Sequence, residues 1–155
     1  MPGEHPLPLL VGWGNALRGD DGAGVVLAER LRDELPAHAL RVVVAHQLTP
    51  DLAEAVSAAA AAVFVDASCA ADPGAVACHR LAAAPALTSE FTHHCQPADL
   101  LRLAHELYGR APASAWLVTI GGASFGFGEE LSPRIAAALP RAHALVTRLL
   151  SECAR

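Results

Sequence analysis

Lysine is absent from the chain: all eleven basic residues are arginine, and sixteen acids leave a formal net charge of −5. The arginines are scattered rather than gathered into a stripe, so a polyanion meets no electrostatic footprint and nucleic acid is not an expected partner. Uninterrupted apolar runs approaching the ~20 residues needed to cross a bilayer are also missing. A transmembrane helix is therefore excluded although 53% of the residues are hydrophobic, since much of that fraction is alanine spread through amphipathic segments. The opening Met1-Pro2-Gly3-Glu4-His5-Pro6 lacks the basic start of a secretory leader, which points to the cytoplasm. Cys69, Cys78, Cys95 and Cys153 form no CxxC pair, and a chain of 155 residues needs no disulfide framework. No HExxH, internal repeat or linker occurs.

What is present fits one domain spanning residues 1–155, long enough to bury roughly 70% of its unfolded surface. The run Leu7 to Val11 reads as a buried strand ended by Gly12-Trp13-Gly14. Apolar positions at Gly24, Leu27, Ala28, Leu31 and Leu35 then predict a helix that Pro36 stops. Leu40 to Ala45 predicts a second strand. Thr49-Pro50-Asp51 supplies an N-cap, a first-turn proline and an acid for a helix to about Ala60. Further strands are expected from Ala62 to Asp66, from Gly74 to Leu81 and from Ala115 to Ile120. A loop over 84–96, a helix from Pro97 to Tyr108 and a terminal helix starting at Ser132-Pro133 complete the reading. Strands alternating with helices at this spacing predict an α/β fold: a three-layer α/β/α sandwich around a mostly parallel, twisted sheet of about five strands. Ligands of such sheets sit beyond the carboxyl ends of the strands.

The loop Gly12-Trp13-Gly14-Asn15 invites a dinucleotide-binding reading. Against it, the third glycine is missing, Leu17 stands where the helix must approach the sheet, and no acid closes the second strand. Further along, Asp20 and Asp21 sit together at the mouth of the first helix. Capping and the helix dipole account for one carboxylate there, worth about 1 kcal/mol, but do not call for two. Gly122-Ala123-Ser124-Phe125-Gly126 matches GxSxG, yet a nucleophile elbow requires a helix immediately after the serine, and here helix signals wait until Ser132-Pro133.

The stretch Gly12 to Gly24, with its paired aspartates, resembles the N-terminal signature of the hydrogenase maturation endopeptidases. So do His46-Gln47-Leu48-Thr49-Pro50, Val63-Phe64-Val65-Asp66-Ala67, Thr92-His93-His94 with Pro97 following, and Ser124-Phe125 with Gly128 before Leu131-Ser132-Pro133, in order and spacing. The HQLTP and THH segments look more like the branch serving NAD-linked, bidirectional-type hydrogenases. The resemblance implies a protease that removes a short C-terminal peptide from the precursor of a [NiFe] hydrogenase large subunit, with nickel presented by that precursor and no organic cofactor. It also implies that Asp21, Asp66 and His93 form the metal-recognition and catalytic set. His94 is the neighbouring alternative to His93, which is preferred for its distance from the helix start at Asp99-Leu100-Leu101. Asn15, Asp20 and Gln47 are expected to shape the cleft. Two carboxylates and an imidazole suit a borderline divalent ion at roughly 2.0–2.2 Å with positions left open. Aspartate stands at position 21 where relatives often carry glutamate, which shortens the reach by one methylene, about 1.5 Å. The alternative from a different class is a non-catalytic α/β module binding a nucleotide or small anion at the first glycine-rich loop.

Overall fold

The computed structural model describes residues 5–88, 91 and 93–153. The first four residues, and Thr92 of the Thr92-His93-His94 motif, lie outside the described residues. Five strands, β1 (Leu9–Trp13), β2 (Arg41–Ala45), β3 (Ala62–Ser68), β4 (Val76–Arg80) and β5 (Ala115–Gly121), form one sheet in the order β2-β1-β3-β5-β4. Every pairing is parallel except that of β4 with β5. Four helices, α1 (Ala23–Glu34), α2 (Ala53–Ser57), α3 (Pro97–Tyr108) and α4 (Pro133–Cys153), complete the expected α/β architecture. None of the described helices is long and apolar enough to cross a membrane.

Alternation along the strands assigns the two faces of the sheet. Leu10, Val63, Val65, Val118 and Ile120 pack with Leu27 and Leu31 of α1 and with Ile135, Leu139 and Val146 of α4. Leu9, Val11, Ala62, Phe64 and Ala115 pack on the other side with Val56 of α2 and with Leu100 and Ala104 of α3. Each helix thus buries one stripe against a sheet that is itself buried on both faces.

Helix α3 has the bounds its sequence predicts. Pro97 occupies its first turn, Gln96 and Asp99 close a reciprocal capping box, and Gly109 stops it in the left-handed conformation at φ 69°. Helix α2 is shorter than expected, ending at Ser57 rather than about Ala60. The cause is backbone competition: Ala60 N–H donates to the Leu7 carbonyl, and the Ala61 carbonyl accepts from Leu9 N–H, so the chain is already engaged by β1. Thr49 precedes a proline-led 3-10 turn as expected, but its side chain makes no capping bond. Helix α4 runs through Pro140, which lies on its exposed side. Burial of the stripe from Ile135 to Leu150 outweighs the roughly 3 kcal/mol an interior proline costs.

The strand order places the functional end. From β1 the chain moves outward to β2, then returns past β1 to β3, so the order reverses between β1 and β3, where a crevice opens beyond their carboxyl ends. The first turn of α1 crosses these ends at backbone contact. A Cβ added at Gly24 would run into the carbonyls of Val65 and Trp13, and one at Gly12 would meet Gly24 and Ala28. Close approach of helix to sheet is thus supplied by Gly24, not at position 17, where the dinucleotide pattern would have put it. Gly24→Ala is expected to lower unfolding free energy by about 1–3 kcal/mol in a denaturant melt. An unchanged midpoint would contradict the close crossing.

Candidate active site

Asp66 lies within β3, opposite Thr119 of β5 and one residue beyond the last pairing of β3 with β1 at Val65. Being two residues from Phe64, it shares that residue's face of the sheet, the one covered by α2 and α3. It is half-buried, and burial pushes its carboxyl up to about 7; the backbone N–H of Ala67 opposes this shift, and the charge of Asp21 adds to it. Asp21 thus stands near enough for its charge to be felt at Asp66, whose burial already disfavours ionisation.

Asp21 reaches this position through the loop after β1. Gly14, at φ 142°, passes so close to the Asp21 carbonyl that no side chain fits there. Next along the chain, Asn15 N–H donates to Asp21 Oδ2 at 2.7 Å, while Asn15 Oδ1 accepts from Leu17 N–H at 3.0 Å. Asp21 then falls in the 3-10 turn Gly19–Gly22 that leads into α1. Neither it nor Asp20 makes a side-chain capping bond to the helix.

Asp20 points the other way and is fully buried. Its Oδ2 accepts Ala123 N–H at 2.9 Å, Ser124 N–H at 2.8 Å and the Ser132 hydroxyl, and its Oδ1 accepts Ser132 N–H at 2.7 Å. Burial alone would raise its pKa, but the bonds from Ser132, Ser124 and Ala123 outweigh burial and hold the carboxyl below the usual aspartate value. The Ser132 hydroxyl, expected at the cap of the terminal helix, is thus given to Asp20. Ser124 belongs to an irregular segment that continues to Pro133, the geometry expected to disqualify it as a nucleophile elbow.

His93 and His94 are exposed, at the tip of a loop that Phe91 and Cys95 anchor to the core under α2 and α3. That is the face Asp66 shares. The structure nevertheless does not bring His93 into a ligand set: among the described residues no three His, Cys, Asp or Glu side chains are grouped to hold a metal ion. Gln47 is exposed beside the buried Leu48. On the α1 side of the carboxylates, Arg18, Asp21, Ala67, Cys69 and Phe125 line a cleft of about 320 Å³. Arg18 Nε donates to the Phe125 carbonyl at 3.2 Å across its mouth. Sequence reasoning gave no site role to Arg18 or Cys69, and named Phe125 only as part of a motif; the signal for Cys69 was its place just past Asp66, at the carboxyl end of the same strand. All four cysteines are free.

The sequence matches no family model and no curated protein. Solved structures do resemble the chain. The hydrogenase maturating endopeptidase HybD from E. coli is 24% identical, with a TM-score of 0.74 over 94% of this chain and 93% of its own. A hydrogenase 2 maturation peptidase from a Thaumarchaeota archaeon is 25% identical, with a TM-score of 0.66 over 93% and 97%. The [NiFe] hydrogenase maturation protease HycI from Thermococcus kodakarensis is 24% identical, with a TM-score of 0.70 over 94% and 93%. The fold is thus shared along nearly the whole of each chain.

The raised pKa of Asp66 has a testable sign. Its folded value lies above the unfolded one, so the folded state retains a proton that the unfolded state releases, and stability falls as pH rises between about 4 and about 7. Asp66→Asn is expected to leave stability unchanged below pH ~4 and to raise it above pH ~7 by about 1–2 kcal/mol, the full shift being reduced by solvent screening. Chemical melts at pH 4 and pH 8 check this, and a destabilised variant at pH 8 would contradict it.

Proposed function

We propose that the chain, as one domain over residues 1–155, is a cytoplasmic endopeptidase that removes a short C-terminal peptide from the nickel-loaded precursor of a [NiFe] hydrogenase large subunit. The observation that carries this reading is the pair of carboxylates, Asp21 in the turn after β1 and Asp66 near the carboxyl end of β3, with Asp66 pushed up to about 7 by burial and by Asp21. The shared fold supports it, because the chains of similar structure carry names of hydrogenase maturation proteases.

Chemically, a half-buried acid pair is unstable when both members are charged, and a divalent cation relieves that repulsion. Nickel brought by the precursor, already held by the precursor's own ligands, would accept Asp21 and Asp66 at its open positions. His93 completes the set when the loop between Phe91 and Cys95 moves against the docked precursor, with His94 as its neighbouring alternative. The ion then serves as the recognition mark, and it can polarise a carbonyl placed beside it. The HQLTP and Thr92-His93-His94 segments favour a partner of the NAD-linked, bidirectional type. No organic cofactor and no nucleic acid enters this reading.

A nucleotide-binding module fits less well. The first turn of α1 is packed against strand-end carbonyls, and two aspartates, Asp21 and Asp66, stand at the rim where a pyrophosphate would have to sit.

Incubation with nickel-containing precursor, read by mass spectrometry, tests the proposal. Asp21→Ala and Asp66→Ala, checked for folding by circular dichroism, are expected to lose more than about 100-fold in cleavage rate, beyond the 10–100-fold that groups orienting a metal ligand control. His93→Ala is expected to be impaired more than His94→Ala. Because Asp66 must lose its proton to bind the ion, the rate should rise as pH passes upward through about 7. Tail removal at the unsubstituted rate by Asp66→Ala would overturn the proposal.

A further inference from the structure

We propose that Asp20 is a positioning residue, whose buried carboxylate fixes the direction in which Asp21 meets the ion. This rests on the reading of the site given above and adds a residue to it. Asp20 has no exposed surface, and it is one of two polar or charged residues, with Ser57, buried among the described residues. All of its side-chain hydrogen bonds cross to partners more than 100 positions away, on the loop between β5 and α4.

The backbone continues the same seam. Asp20 N–H donates to the Ser124 carbonyl at 2.9 Å, Gly19 N–H to the Gly128 carbonyl at 2.7 Å, and Gly128 N–H to the Leu17 carbonyl at 2.8 Å. The first loop is therefore zipped along its length to the loop after β5, and Asp20 is the side chain inserted between them.

Adjacency turns this seam into orientation. Asp20 and Asp21 are consecutive in one 3-10 turn, where successive side chains diverge by about 120°. With Asp20 locked inward, Asp21 faces the rim, and the Asn15 N–H at 2.7 Å fixes its carboxylate from the other side. A helix-capping role does not account for the Asp20 side chain: only the backbone carbonyl of Asp20 accepts from α1, from Ala23 N–H, while its carboxylate bonds nothing there. Asp20 also stabilises the seam, since its loss would leave three backbone N–H groups and a hydroxyl without their acceptor; the positioning role is what it adds for its neighbour Asp21. What a carboxylate supplies here is acceptors only: two oxygens take three backbone N–H groups and one hydroxyl. Asparagine would turn an N–H₂ toward one of those donors.

The test uses the intact protein and nickel(II) ions alone, titrated calorimetrically, with Asp66→Ala as the reference for a lost ligand. Asp20→Asn is expected to retain its circular dichroism spectrum but to bind nickel about 10- to 100-fold more weakly, with cleavage reduced mainly through a raised KM rather than a lowered kcat. Ser132→Ala removes only the hydroxyl donor and is expected to shift affinity in the same direction by a smaller factor. Its result decides the matter if Asp20→Asn fails to fold. A lower Tm with unchanged nickel affinity per folded molecule, in Asp20→Asn or, failing that, in Ser132→Ala, would overturn the positioning role while leaving the site intact. An unsubstituted protein that binds nickel no better than Asp66→Ala would overturn the site reading and this proposal with it.

Discussion

The contact on which the site depends involves no side chain. The first turn of α1 lies against the carbonyls of Trp13 and Val65, a distance only glycine at position 24 permits. From that contact follows the placement of the turn before the helix, and with it the approach of Asp21 to Asp66. A bulkier residue would lift the helix from the sheet and separate the carboxylates. Packing density and electrostatics are thus the same problem at this rim.

Electrostatics then gives the arrangement its character. Asp20 and Asp21 are neighbours with opposite environments. The first is buried among donors that hold its charge, whereas the second stands beside another acid with few. The first loop therefore contains a carboxylate that is satisfied and one, paired with Asp66, that is not. An unsatisfied acid pair costs the free protein stability and rewards any divalent ion delivered to it. Under the proposed function, a substrate that carries its own ion would suit such a site, because the free protein would not need to hold a metal.

Much of this was legible in the sequence. The limits of α3 follow from Pro97, its apolar spacing and Gly109, and the layer order follows from alternating periods. Asp66 was readable as a strand-end acid, although β3 continues to Ser68 because β5 pairs with it that far. Other features depend on partners distant in the chain and leave little local trace. The early end of α2 is imposed by the start of β1. Asp20 looks like a cap until the loop after β5 is folded onto it, since its donors lie at positions 123, 124 and 132. His93 was named from motif order, which carries no distance; the structure places it on an exposed tip outside any three-residue ligand group among the described residues.

The central claim is that Asp21 and Asp66 grip one divalent ion together. Anomalous diffraction from crystals of the protein soaked in a cadmium salt, collected above pH 7 where Asp66 is ionised, tests it most directly. A single strong peak bridging the two carboxylates is the expected result. A peak bound elsewhere, with the two aspartates free of metal, would contradict it.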